Sequence, residues 1–257
     1  MKKITTLLVL VISILVMSAG AQAANSFALC MGLSKCNARN YKDIEAAQND
    51  AIDFKKVLAK QGYKASVVTN KYATRANILS RLRNIVAATK SKDDRIVLFF
   101  ATHGSEKGYL LTYGGEFIEY REIIDILSKS KTKHIYIFVM ACYSGTVASG
   151  LTSDPNWQNS MVKSGISFMV SCRPDETSKS INMSHWKHSV FGQALIKGLR
   201  GMSDTNSDRK ITLLELYQYV YREVVGRMNG SAELGGETQH PQLICPSSEH
   251  NTVLARW

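Results

Sequence analysis

Two short apolar runs, 95–101 (RIVLFFA) and 135–140 (IYIFVM), end abruptly at small-residue turns, and each turn carries one chemically useful side chain. Unbroken runs of β-branched and aromatic residues suit strands buried on both faces, so each run predicts a central strand of a mostly parallel sheet. Thr102-His103-Gly104-Ser105 follows the first and Ala141-Cys142-Tyr143-Ser144-Gly145 the second. Open α/β sheets hold their ligands at the carboxyl ends of strands. If the two strands are parallel neighbours, His103 and Cys142 emerge side by side, and an imidazole beside a thiol is what nucleophilic catalysis needs.

The rest of the chain supplies the scaffold that these strands require. Apolar periodicity predicts strands at 26–32, 65–69 and 166–172, and helices at 41–61, 74–89, 120–130, 188–200 and 211–228. Glycines among aromatics in 107–119 predict a hairpin, polar 150–164 a loop, and 242–245 a short edge strand. This alternation implies one α/β domain, with a mostly parallel central sheet and helices on both faces. Residues 173–180 (RPDETSKS) should line the same cleft.

Residues 1–23 read separately, as a cleaved export signal: a basic start at Lys2 and Lys3, an apolar run over 4–17, and SAGAQA at the end. The run is shorter than the roughly 20 residues of a membrane span, so no stable insertion is expected after its removal. The expected product is one domain over 24–257, periplasmic or secreted. Its charge falls from +11 to +9 with the loss of the two lysines. The bases are scattered, which suits solvated faces and not a nucleic-acid partner.

Of five cysteines, Cys30 and Cys172 lie in apolar runs and read as buried thiols. Cys36 and Cys245 lie in loop-like sequence where pairing is open, and Cys142 is left as the free thiol of a nucleophile. His134, His185, His188, His240 and His250 lack a comparable setting and read as surface or structural.

FFATHGS and FVMACYSG together resemble the His-Gly and Asp-x-Cys-x-Ser-Gly motifs of caspase-like cysteine peptidases, closest to the metacaspase and bacterial caspase-like branch. The gap between His103 and Cys142 is similar in size to the roughly 50 residues of the caspase pattern. The resemblance implies a caspase-like three-layer sandwich and a thiol endopeptidase acting on peptides or proteins. Cys142 would be the nucleophile and His103 the acid/base, and the N–H groups of Gly104 and Cys142 would hold the developing oxyanion. No cofactor is needed for that chemistry. Metacaspases carry an Asp two residues before the nucleophile to bind a basic side chain, where this chain has Met140. Asp175 and Glu176 then remain as acids for a basic substrate residue, whereas Arg173 would favour an acidic one. The alternative is a catalytically silent relative that binds a peptide or a partner through the same cleft. A cysteine hydrolase acting on other amides is a third class.

Residues 204–215 (DTNSDRKITLLE) add a calcium-loop pattern. Asp204, Asn206, Asp208, Thr212 and Glu215 fall at positions 1, 3, 5, 9 and 12, with the Lys210 carbonyl at position 7. Arg209 stands where the turn normally has glycine. Calcium here would be structural support.

Overall fold

The structure, a computed structural model, describes residues 24–179, 187–229 and 237–257. The expectations for 1–23, for Ser180 and for His185 lie outside these residues. Six strands form the central sheet in the order β2-β1-β3-β6-β7-β9: β1 (Ser26–Gly32), β2 (Lys64–Thr69), β3 (Arg95–Ala101), β6 (His134–Met140), β7 (Ile166–Val170) and β9 (Gln242–Ile244). The first five are parallel, and β9 closes one edge antiparallel. Two small ribbons complete the strands: β4 (Tyr109–Leu111) with β5 (Phe117–Glu119), which is the expected hairpin, and β8 (Lys210–Thr212) with β10 (Val253–Arg256).

Alternation along the strands divides the core in two. Val97, Phe99 and Ala101 of β3 and Tyr136, Phe138 and Met140 of β6 pack on one face, against α1 (Glu45–Lys60), α6 (Val190–Lys197) and α7 (Leu213–Asn229). Ile96, Leu98, Phe100, Ile135, Ile137 and Val139 pack on the other, against α2 (Arg75–Ala88), α3 (Tyr120–Leu127) and α5 (Pro155–Lys163). This is the three-layer α/β sandwich. Both faces of β3 and β6 are dry, which explains their unbroken apolar sequence. Phe54 of α1 stacks on Phe99 at 4.8 Å, and burying such a side chain is worth about 1.5–3 kcal/mol.

Several boundaries differ from the sequence reading for identifiable reasons. Helix α1 starts at Glu45 and not near Tyr41, because residues 41–44 bend over the end of β3. The expected loop at 150–164 is instead α4 (Thr146–Ser153) followed by α5. Asp154 caps α5 through bonds from the Asn156 and Trp157 N–H groups, and Pro155 takes the first helical position, where its missing N–H costs nothing. Ser189, not His188, opens α6, with its Oγ accepting from Gly192 N at 2.9 Å. Helix α7 starts at Leu213, two residues late, because Ile211 and Thr212 belong to β8. All five cysteines are free thiols. Cys36 packs in the core on one face of the sheet and Cys245 against the core on the other, so they do not pair.

Candidate active site

Strand register brings His103 and Cys142 together. β3 and β6 are parallel neighbours whose last register pair is Ala101 with Met140, and both candidate residues lie two steps further along. Parity carries His103 on from Val97, Phe99 and Ala101, and Cys142 on from Tyr136, Phe138 and Met140, towards one face of the sheet. Both line one cavity of about 120 Å³. Met140 forms part of its floor and is 3% exposed, and Asp43, Ile44 and Ser178 close its sides.

The His103 ring is held by the bend before α1. Its Nε2 lies 2.7 Å from the Lys42 carbonyl oxygen, and the Tyr41 ring packs at 5.1 Å. A carbonyl can only accept, so Nε2 carries the proton and Nδ1 is left as the basic nitrogen. The group that orients the ring is a backbone carbonyl, which leaves no trace in residue type.

Gly104 has a steric reason to be glycine. A Cβ there would fall 2.1 Å from the Cys142 carbonyl oxygen and 3.1 Å from the Ala141 side chain. Close approach of the two turns leaves the Gly104 and Cys142 N–H groups without protein acceptors among the described residues. After Cys142 the chain turns sharply. Tyr143 takes a left-handed φ of 56°, its N–H donates to the Glu176 carbonyl at 2.9 Å, and its own carbonyl accepts from Thr146 Oγ1 at 2.7 Å. Cys142 Sγ itself lies 3.9 Å from the Ser178 carbonyl oxygen. The neighbouring thiol, Cys172, is fully buried with its Sγ 3.3 Å from the Ala141 and Glu176 carbonyls. Burial raises its pKa, which keeps it protonated.

The residues expected to contact substrate separate. Met140 stays with the dyad, and Asp175 lines a larger neighbouring groove beside Tyr143. Arg173 is exposed and lines neither. Glu176 is not a pocket wall: its carboxylate accepts from Arg173 N, Thr238 Oγ1, His240 N and His240 Nδ1. Burial pushes its pKa up, but these bonds outweigh burial and hold it below the usual glutamate value. The acid that does line the dyad cavity is Asp43, from a segment expected to be helical.

The 204–215 turn closes on its own backbone. Asp204 accepts from Arg209 N, Asn206 from Asp208 N and Asp208 from Lys210 N, while Glu215 accepts from Thr205 and Thr212. Thr212 and Glu215 form a reciprocal capping box that starts α7. Among the described residues, no three His, Cys, Asp or Glu side chains are grouped as a metal centre. Three of the remaining histidines are structural: His134 pairs with Glu249, His188 with Asp50 and His240 with Glu176.

A family model described as the caspase domain matches residues 26–252. The chain belongs to the caspase-domain family. In fold, this caspase domain is similar to caspase-1 from Spodoptera frugiperda, with a TM-score of 0.65 at 18% identity over 88% of this chain and 90% of that one. It is likewise similar to a protein of Geobacter sulfurreducens, with a TM-score of 0.61 at 15% identity over 89% of this chain and 97% of that one. No curated protein matches the chain in sequence. The domain is of the cysteine-peptidase type, for which proteins or peptides are the substrate class. Among the described residues, no helix is long and apolar enough to cross a membrane.

Proposed function

We propose that this caspase domain is an active cysteine endopeptidase. The observation that carries the reading is the pairing of Cys142 and His103 at register-matched strand ends, with the imidazole tautomer set by the Lys42 carbonyl. In the first half-reaction His103 takes the proton of the Cys142 thiol, and the thiolate adds to the scissile carbonyl while the Gly104 and Cys142 N–H groups take up the oxyanion. His103 then protonates the departing amine, leaving a thioester. In the second, His103 removes a proton from water, which attacks the thioester and returns the thiol.

The same reading assigns a preference for Lys or Arg before the cut. Asp43 supplies the negative charge and Met140 an apolar wall for the aliphatic stem, so Asp43 replaces Glu176 as the selecting acid. The leader-like residues 1–23 support an exported, periplasmic or secreted enzyme.

A fluorogenic peptide library varied at the residue before the cut tests both parts. The expected result is turnover of Lys or Arg peptides that is lost in Cys142→Ala and in His103→Ala, and that falls by about tenfold or more in Asp43→Asn. Peptides bound but never cut by the reduced wild-type protein would replace this reading with that of a peptide-binding relative.

A further inference from the structure

The dyad cavity is small, and a much larger depression adjoins it. On the far side of the Cys142–Tyr143 turn, a groove of about 760 Å³ runs between Glu106, Lys107, Tyr143 and helix α4. It continues into a second hollow of about 220 Å³, with which it shares Lys107, Thr146, Gly150 and Ser153. That hollow is lined by Tyr109, Tyr120 and Trp157 together with Glu119, Arg121 and Asp154. The two form one path, whose far end carries both aromatic and charged side chains.

Chemistry fixes which part of a substrate this path meets. His103 must reach the departing amine, so the residues after the cut leave over His103 and the segment that follows it. That segment is Gly104, Ser105, Glu106 and Lys107, and the last two are the near wall of the groove. Asp43, Ile44 and Ser178 stand on the other side of the dyad, where the residue before the cut belongs.

We propose that the groove along α4 is the binding site for the part of a polypeptide substrate that follows the cut, with an aromatic side chain favoured at its far end. The inference rests on the peptidase reading above. A Cβ on Gly150 would fall 1.9 Å from the Trp157 ring, so the glycine lets the indole lie across α4, and Asp154 anchors the start of α5 beneath it. The substrate would accordingly be a protein or a long peptide. Contacts remote from the reacting atoms then contribute to turnover, and a substrate truncated at the cut forfeits them.

Two substrates with the same sequence up to the cut test this. One ends in an aminocoumarin, and the other is an internally quenched peptide extended by about six residues, roughly 20 Å of extended chain, with an aromatic residue near its end. The expected kcat/KM is about tenfold or more higher for the extended peptide. Ser153→Trp, an exposed position that fills the groove, should remove that advantage and leave the aminocoumarin rate unchanged. Lys107→Glu should change the extended peptide's rate selectively. Equal rates on the two substrates, or equal losses on both in Ser153→Trp, would overturn the proposal. If neither substrate is cut, the peptidase reading fails by itself. The groove is then judged by binding to Cys142→Ala: weaker binding on deleting the residues after the cut upholds it, and unchanged binding rejects it.

Discussion

Gly104 shows how much of the site depends on one missing carbon. In Gly104→Ala the new Cβ meets a backbone oxygen that no side-chain rotation can move. Overpacking of this kind costs about 1–3 kcal/mol of stability. Displacing an oxyanion donor should also lower turnover by about a hundredfold, measured as kcat on the best peptide. Gly226 is the control: it lies in α7 with nothing within 4 Å of a built Cβ, so Gly226→Ala should raise stability by ~0.5–1 kcal/mol in a denaturant titration. His103 and Cys142 were legible because reactive side chains at strand ends are conspicuous. Lys42 was not, since its contribution is a peptide carbonyl. Asp43 was hidden in an apparent helix, and Glu176 misled because its acid is spent on Arg173, Thr238 and His240.

Strands were read well because burial on both faces leaves continuous apolar runs, and the register of β3 and β6 followed from them. The segment after Cys142 was misread. Asp154-Pro155 looks like loop punctuation, yet it is also how a helix begins, and one sequence cannot separate the two. The difference matters for maturation. With α4 and α5 filling the connection to β7, that connection offers no open linker, so an active preparation should show no cut between residues 146 and 163 on a denaturing gel. Fragments from such a cut that appear in the wild type and are absent from Cys142→Ala would contradict this. Asp154→Ala should loosen the connection, costing about 1 kcal/mol and speeding proteolysis near residue 154.

Across the whole molecule, buried charge makes stability depend on pH from both sides. His188 is raised above an ordinary imidazole by its bond to Asp50, against the opposing effect of burial. Burial likewise raises fully enclosed Asp50, with His188 and Ser189 opposing. Raised groups bind protons more tightly folded than unfolded, so the His188 contribution is complete below about pH 6.5 and the Asp50 contribution below about pH 3.9, and each is lost as pH rises through that group's own folded value. Burial raises Glu176 and Glu249 too, but hydrogen bonds more than compensate and leave both lowered, so their contribution is lost as pH falls below about 4.3. Thermal melts should therefore lose stability as pH rises past about 6.5, where His188 gives up its proton. His188→Asn should flatten the alkaline side, and an alkaline limb unchanged in that variant would assign it to other groups.

The ribbon of β8 and β10 has a consequence for synthesis. Residues 253–256 receive Arg95 Nη1 at the Val253 carbonyl, Tyr63 Oη at the Leu254 carbonyl, and Gln61 at both ends of the Arg256 backbone. These contacts span 158 to 195 positions along the chain. A nascent chain therefore carries every strand of the central sheet before the groups at its base find their partners. The domain can lock only after residues 253–256 have emerged from the ribosome, and contacts of such long range make that closure slow.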